Sequence, residues 1–277
     1  MNPGMTPIDA LARVSGWDPS RAEITELKGG LTNRTYRVAY DGRDYALRLD
    51  VEDADVLRFD RTYEAKIMQA AHAAGLGPEL VHVDPDAGIM VTGFLPGRPW
   101  ADSDLSSHGQ LERLAESIRR VHELPLCGQR VNLQEDAAVY EAFLEQRQGL
   151  HAFATHCVEI IRGIPVGDRV VCCHNDLIAR NVVDDGHLKL IDWEYACDND
   201  PMFDLAVTIG FHDLDRSRRD ILLNTYAGSG AAEFQELLAE QIRAYDAIQW
   251  LWFAARQLVA PEREQAERLE FLQQRIR

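Results

Sequence analysis

The chain has 277 residues, of which 46% are hydrophobic, so it can bury a sizeable core and form two lobes or domains. Its 29 basic and 45 acidic residues give a formal net charge of −16, which disfavours nucleic acid or an anionic membrane surface as a partner. The acidity favours solubility and would also attract a cationic substrate, and the two explanations are compatible.

The cysteines are odd in number and contain no Cys-x-x-Cys pair, so neither a disulfide framework nor a zinc site is predicted. Residues 1–10 have no signal-peptide pattern, and no apolar run approaches the roughly 18 residues of a membrane span. We therefore expect a reduced, cytoplasmic protein that does not enter a membrane.

The N-terminal part predicts an antiparallel sheet accompanied by helices. Short strands are predicted over residues 22–28, 34–40, 44–50, 80–83 and 89–94. Helices are predicted over residues 8–14 and 58–74, the second ending at Gly75 or Gly77. The dipeptide Asp41-Gly42 suits a tight hairpin because both residues can adopt positive φ.

The segment 93–100 contains two glycines and two prolines, so we place the lobe boundary there, with domains over residues 1–95 and 96–277. Beyond it the helical period dominates: residues 105–124, 134–161, 203–211, 216–226, 231–259 and 261–276. Short strands and loops interrupt this pattern between residues 170 and 195. The predicted class is α+β, with a sheet-and-helix N-lobe and a mainly helical C-lobe.

The densest chemistry lies in His174-Asn175-Asp176 with Asn181, followed eleven residues later by Asp192 at the end of an apolar strand. Two carboxylates and an amide that converge suit phosphoryl transfer. We expect Asp176 to orient a substrate hydroxyl and accept its proton, and Asn181 and Asp192 to bind Mg²⁺ on the ATP phosphates. His174 is assigned to the same catalytic segment, where we expect it to hold the loop backbone. The alternative is a polar turn between two strands.

This segment resembles the kinase-like small-molecule phosphotransferases, which include choline/ethanolamine kinases, thiamine kinases and aminoglycoside phosphotransferases. The resemblance covers nearly the whole chain. Residues 190–196, Asp200-Pro201 and Asp204-Leu205-Ala206 are similar to the choline and thiamine kinase branch. The resemblance implies a protein-kinase-like two-lobed fold that binds ATP between its lobes. Asp204 is expected to organise the catalytic loop.

Several residues are predicted to bind the nucleotide. In Gly29-Gly30-Leu31-Thr32-Asn33, small residues let backbone N–H groups approach phosphates, and Gly30, Thr32 and Asn33 are the candidates, although a glycine pair is also typical of a plain turn. Arg48 replaces the lysine of protein kinases, as in the choline kinase pattern, and can bind phosphate oxygens. Its expected partner is Glu64, which would otherwise be an ordinary exposed glutamate. Backbone groups at Thr92 and Phe94 are expected to bind adenine.

The acceptor is expected among aromatic and acidic residues. The candidates are Trp193, Glu194 and Tyr195 after the metal aspartate, and Trp250 and Trp252 on a late helix. Aromatic faces attract soft cations, and residues in comparable places form such a pocket in the choline kinase branch. The spacing of the late aromatics is equally expected of a core-facing helix, so both interpretations stay open.

The sequence therefore predicts an ATP- and Mg²⁺-dependent kinase acting on a hydroxyl of a small cationic molecule. Choline or a related amino alcohol is the leading acceptor, followed by thiamine and then an aminoglycoside. A regulatory pseudokinase would usually lack Asp176, Asn181 or Asp192, and all three are present. An acidic scaffold protein is a third class, and the chain is expected to be a monomer or homodimer.

Overall fold

The computed structural model describes residues 5–27, 33–50, 61–165 and 167–277. The chain divides into two compact units: residues 1–101 with 180–196, and residues 102–179 with 197–277. The segment 180–196 thus belongs to the first unit, whereas a single cut after residue 95 leaves it in the C-terminal part.

A five-stranded antiparallel sheet, in the order β1-β2-β3-β5-β4, forms the base of the first unit. Its strands are β1 (Glu23–Leu27), β2 (Asn33–Tyr40), β3 (Arg43–Asp50), β4 (Leu80–Asp84) and β5 (Ile89–Gly93). Alternate residues of β2 and β3 are buried, and they pack with helix α1 (Pro7–Leu11) in one core. The predicted hairpin is confirmed, because Asp41 and Gly42 both have positive φ, at 48° and 76°.

Helix α2 (Arg61–Ala73) follows the meander and ends before Gly75, whose φ of 71° is the left-handed backbone expected after a helix. Residues 58–60 of its predicted span lie outside the described residues. A second sheet combines β6 (Arg98–Pro99), β8 (Val182–Asp184) and β9 (Leu188–Leu190) in the order β6-β8-β9. A Cβ on Gly97 would lie 2.6 Å from the Val183 side chain, so glycine permits this close approach of β6 to β8.

The second unit is mainly helical. Its helices are α3 (His108–His122), α4 (Leu133–Leu144), α5 (Gln148–Gly163), α6 (Pro201–Phe211), α7 (Arg216–Ala227), α8 (Ala231–Val259) and α9 (Arg263–Ile276). A short antiparallel hairpin of β7 (Val171–Cys173) and β10 (Cys197–Asn199) accompanies them. The buried core joins side chains of α4, α5, α8 and α9.

The prediction of one helix over residues 134–161 is wrong, because the chain turns between α4 and α5. Apolar residues recur at helical spacing on both sides of the turn, so the hydrophobic periodicity of the sequence does not reveal the turn. After the turn, Leu144 of α4 and Val158 of α5 both lie in the same core as Trp250 of α8.

Two further observations concern the covalent and membrane state of the chain. All five cysteines lie in the described part and are free thiols. Every helix in the described part is too short or too polar to cross a lipid bilayer.

Candidate active site

The segment predicted to be catalytic, residues 174–176 (the catalytic segment below), follows β7 in the second unit, and a buried carboxylate of α6 fixes its backbone. Asp204 is fully buried and accepts hydrogen bonds from the backbone N–H of His174 (3.0 Å) and of Asn175 (2.6 Å). Asn175 has left-handed backbone (φ 62°), and its Oδ1 accepts a hydrogen bond from Asn199 Nδ2 (2.8 Å). These contacts hold the residue that precedes Asp176 in a conformation that non-glycine residues seldom adopt. The expected organising position of Asp204 is observed.

His174 and Asp176 differ in exposure. The His174 residue is fully buried, which agrees with the expectation that it holds the loop. Asp176 is half-buried and lies close enough to Tyr245 of α8 to act on its ionisation. Burial raises the pKa of Tyr245 well above its usual value, and the negative charge of Asp176 raises it further. The phenol therefore stays neutral beside Asp176.

The predicted partner of Arg48 is observed in the first unit. Arg48 Nη1 and Nη2 donate to Glu64 Oε1 and Oε2 at 2.6 and 2.5 Å, and the two side chains are 14% and 1% exposed. Burial alone would lower the pKa of Arg48, but the charge and hydrogen bonds of Glu64 raise it. A buried bidentate pair of this kind fixes the direction of the guanidinium group. Arg48 is therefore held rigidly beside Asp192, whose Oδ1 lies 3.7 Å from its Nη1.

Arg61 is a second buried arginine of this cluster, and it was not among the residues predicted from the sequence. Its guanidinium group donates to Asp50 Oδ1 (2.7 Å), Glu64 Oε2 (2.8 Å) and Glu194 Oε2 (3.2 Å). It also donates to Asn33 Oδ1 (3.2 Å). Arg61 precedes Glu64 by three residues, so both lie on one helical face; that spacing was the available signal.

Glu194 and Asn33 bond to each other inside this cluster. Asn33 Nδ2 donates to Glu194 Oε2 at 2.9 Å, and the Glu194 side chain is only 3% exposed. The predicted substrate carboxylate Glu194 is therefore engaged within the first unit, where it ties the segment after Asp192 to β2 and α2. Asn33, which was predicted to bind the nucleotide, is also buried and also forms its hydrogen bonds within the first unit.

A backbone hydrogen bond joins the two segments of the first unit that carry the predicted metal ligands Asn181 and Asp192. The backbone N–H of Ile191 donates to the carbonyl oxygen of Asn181 at 2.9 Å, and Asp192 follows with left-handed backbone (φ 66°). Burial raises the pKa of Asp192 to about 7, the charge of Glu194 adds to this, and Arg48 opposes it. Its side chain nevertheless keeps 36% of its surface exposed.

This environment fits a divalent cation. The ion pairs of the cluster involve four carboxylates (Asp50, Glu64, Asp192, Glu194) and two guanidinium groups (Arg48, Arg61), so negative charge is in excess. Burial is the main cause of the raised pKa of Asp192, and a bound cation would favour its ionised form. Mg²⁺ prefers hard oxygen ligands, which Asn181 and Asp192 can supply.

The other predicted nucleotide residues are only partly described. Gly30 and Thr32 lie outside the described residues. Thr92 belongs to β5 and pairs with Ala46, whereas the backbone N–H of Phe94 donates to Asp44 O at 3.0 Å. That N–H is thus used within the first unit, and adenine would have to use another backbone group of this segment.

The aromatic acceptor candidates separate into buried and accessible rings. Trp193 is fully buried and its Nε1 donates to Leu190 O at 3.0 Å. Trp250 is fully buried against Phe153 in the helical core, and Trp252 is half-buried with the Arg256 guanidinium 5.5 Å from its ring. These positions favour the core interpretation for Trp193 and Trp250. Tyr195 and Trp252 are half-buried, and Tyr195 lies three residues after the predicted metal ligand Asp192.

Comparison with known proteins places these features in a family. The family model of the phosphotransferase enzyme family (APH) matches residues 23–238, which is most of the chain. The chain belongs to this phosphotransferase family. The family resemblance predicted from the sequence is confirmed, and so is the prediction that the protein is a small-molecule kinase.

Two relatives of this family member illustrate its branch. Protein LicA of Haemophilus influenzae is 28% identical over 211 residues, covering 72% of this chain and 61% of the LicA sequence. A thiamine kinase of Escherichia coli is 26% identical over 259 residues, covering 90% of this chain and 89% of the kinase. The chain thus spans less than two thirds of that LicA sequence but nearly all of the thiamine kinase.

Solved structures share the fold at low sequence identity. A choline/ethanolamine kinase family protein from Mesorhizobium loti has a TM-score of 0.74 and 23% identity, covering 97% of this chain and 92% of that one. Choline kinase LicA from Streptococcus pneumoniae has a TM-score of 0.77 and 20% identity, covering 92% and 94%. A LicA structure in complex with AMP has a TM-score of 0.78 and 20% identity, covering 96% of both chains. These similarities confirm the predicted α+β, kinase-like fold.

Proposed function

We propose that the protein is a kinase that transfers the γ-phosphate of ATP, with Mg²⁺, to the hydroxyl of choline or a related small amino alcohol. The observation that carries this proposal is the buried cluster around Asp192, in a chain of the phosphotransferase family. It combines a fixed arginine suited to phosphate oxygens with oxygen ligands suited to Mg²⁺.

Each residue has a defined role in the proposed reaction. Arg48, oriented by Glu64, binds phosphate oxygens of ATP. Asn181 and Asp192 would hold Mg²⁺, which would neutralise charge on the phosphates. Asp176 orients the acceptor hydroxyl and accepts its proton as the oxygen forms a bond to the γ-phosphorus. The bond from that phosphorus to the bridging oxygen breaks, and ADP leaves with the bonding electrons.

The acceptor class is supported by charge and by the relatives. A net charge of −16 favours the approach of a small cation, and the solved relatives include choline and choline/ethanolamine kinases. Tyr195 is the aromatic residue that we assign to the acceptor. The free thiols support a reducing compartment such as the cytoplasm. That the protein is a monomer or a homodimer stays a prediction.

Thiamine is the second candidate acceptor. The alignment with the Escherichia coli thiamine kinase covers 90% of this chain and 89% of that enzyme, a more complete match than the LicA sequence gives. Thiamine also carries a hydroxyl and a cationic ring, so the same roles would serve it.

ADP release from MgATP, measured against choline, ethanolamine, thiamine and an aminoglycoside, tests the proposal. Asp176→Ala is the inactive control, and Asp185→Ala is the matched control at an exposed acid of the β8–β9 turn. We expect turnover with choline that Asp176→Ala loses and Asp185→Ala keeps. Turnover only with thiamine would select the second candidate. Silence with all acceptors, together with an ATP-dependent rise in melting temperature, would favour a nucleotide-binding pseudokinase.

A further inference from the structure

A chain of hydrogen bonds in the second unit leads from Tyr226 through His122 to Asp204. His122 is the last residue of α3, and its side chain is 5% exposed. Its Nε2 lies 3.1 Å from Asp204 Oδ2, and its Nδ1 lies 2.8 Å from the hydroxyl of Tyr226 on α7. The chain therefore links α3, α6 and α7 at the carboxylate that fixes the catalytic segment.

The chemistry of these groups assigns the direction of the bond to Asp204. A carboxylate oxygen only accepts, so Nε2 of His122 carries a hydrogen and donates it to Asp204. The hydroxyl of Tyr226 meets the other ring nitrogen, and a phenol hydroxyl can either donate to that nitrogen or accept from it. Burial raises the pKa of Tyr226, so the phenol stays neutral. Both ring nitrogens of His122 are thus satisfied.

Asp204 shares one oxygen between His122 and the catalytic segment. Its Oδ2 accepts from both His122 Nε2 and the His174 backbone N–H, while Oδ1 accepts from the Asn175 backbone N–H. The His122 bond therefore acts together with the two backbone bonds to set how the carboxylate is rotated within its fully buried site. A rotated carboxylate could not meet both N–H groups and keep Asn175 in its left-handed conformation.

A metal site is the competing interpretation of the same residues, because Cys173 Sγ lies 3.7 Å from His122 Nε2. Metal binding requires a thiolate and free carboxylate lone pairs. Burial raises the pKa of Cys173 well above its usual value, and its thiol donates to Asp200 O at 3.6 Å. Both oxygens of Asp204 already accept backbone hydrogen bonds. The contacts favour a hydrogen-bonded support.

We propose that His122 is a positioning residue which, through Asp204, holds the catalytic segment in the conformation that presents Asp176. Tyr226 holds the other ring nitrogen of His122 and so keeps the ring in place. The consequence for turnover rests on the proposed kinase function, but the effect on the backbone of residues 174–175 can be measured without any acceptor.

Two substitutions of similar size separate this role from simple packing. In His122→Gln the side-chain amide nitrogen reaches the place of Nε2 and can donate to Asp204. In His122→Asn the shorter side chain places its amide near Nδ1, where it can meet Tyr226 but not Asp204. His108→Asn is the matched control, because His108 lies at the exposed end of the same helix, with its side chain 66% exposed.

Amide hydrogen exchange of His174 and Asn175, followed by NMR, is the first measurement. We expect His122→Asn to speed exchange at both amides on the order of 10- to 100-fold, the size of one lost hydrogen bond to a charged group. His122→Gln and His108→Asn should stay within about 3-fold of the parent protein. Equal protection in His122→Asn and His122→Gln would overturn the proposal.

Turnover supplies the second measurement. We expect kcat to fall on the order of 10-fold or more in His122→Asn, with KM for ATP little changed, and to recover in His122→Gln. Loss of kcat in both variants with equally lowered melting temperatures would indicate packing alone and refute the positioning role. If the parent protein phosphorylates no acceptor, the proposed function fails, while the exchange experiment still decides the role of His122.

Discussion

The buried ion-pair cluster of the first unit predicts a large stability cost for Glu64→Gln. Glu64 accepts hydrogen bonds of 2.6, 2.5 and 2.8 Å from Arg48 and Arg61, and its side chain is 1% exposed. Glutamine keeps the shape and one acceptor but removes the carboxylate that accepts three charged hydrogen bonds from the two buried guanidinium groups. Removing one partner of a buried pair costs about 3–5 kcal/mol. Because Arg61 keeps Asp50 and Glu194, we expect a value near 3 kcal/mol.

Equilibrium unfolding in urea measures this cost, and Glu79→Gln is its matched control. Glu79 also pairs with an arginine, Arg43, at 2.9 Å, but its side chain is 47% exposed. Exposed ion pairs contribute about 0–1 kcal/mol, so the control should stay within that range. A Glu64→Gln cost no larger than that of Glu79→Gln would refute the argument that burial makes this cluster decisive.

Three further outcomes are expected. Asp176→Ala should abolish phosphate transfer while ATP affinity, measured by calorimetry, stays within about 3-fold of the parent; near-normal turnover would remove Asp176 from the role of base. Trp250→Ala should destabilise the protein by about 3–5 kcal/mol in urea unfolding and leave acceptor KM unchanged, whereas a raised KM at unchanged stability would restore Trp250 to the acceptor site. Asp200→Asn should leave stability at pH 7 unchanged or raised, because burial raises the pKa of Asp200 and its ionised form therefore disfavours the folded state, while asparagine keeps the cap on Met202. The stability difference between Asp200→Asn and the parent protein should shrink as the pH falls through the raised pKa and Asp200 becomes neutral. Urea unfolding at several pH values measures this difference, and a loss of stability in Asp200→Asn at pH 7 would contradict the reasoning.

Local patterns predicted the elements and contacts that depend on neighbouring residues. Alternating apolar residues and the Asp41-Gly42 turn predicted that Arg48 lies on a half-buried strand. Helical periodicity predicted that Glu64 lies at the edge of the apolar face of its helix, from which it can reach Arg48. The motif spacing from Asp176 to Asp192 also indicated the segments of Asn181 and Asp192, which meet where the Ile191 backbone N–H donates to Asn181 O. These features are readable because each depends on a short stretch of chain.

Contacts between distant segments left no such pattern. Arg61 and Glu194 are 133 residues apart, and His122 and Asp204 are 82 apart, so no period or spacing connects either pair. The motif around Glu194 predicted a carboxylate that binds substrate, but in the structure Glu194 accepts hydrogen bonds from Asn33 and Arg61 inside the first unit. The aromatic residues of α8 read equally well as pocket or core, and only burial distinguished Trp250 as core.

Direct detection of the product by ³¹P NMR tests the central claim most directly. With MgATP and choline, we predict a new phosphomonoester resonance that grows in step with ADP and disappears in Asp176→Ala. Formation of ADP and inorganic phosphate without a phosphomonoester would contradict the account. So would the absence of any phosphorylated product with choline, thiamine and the other acceptors.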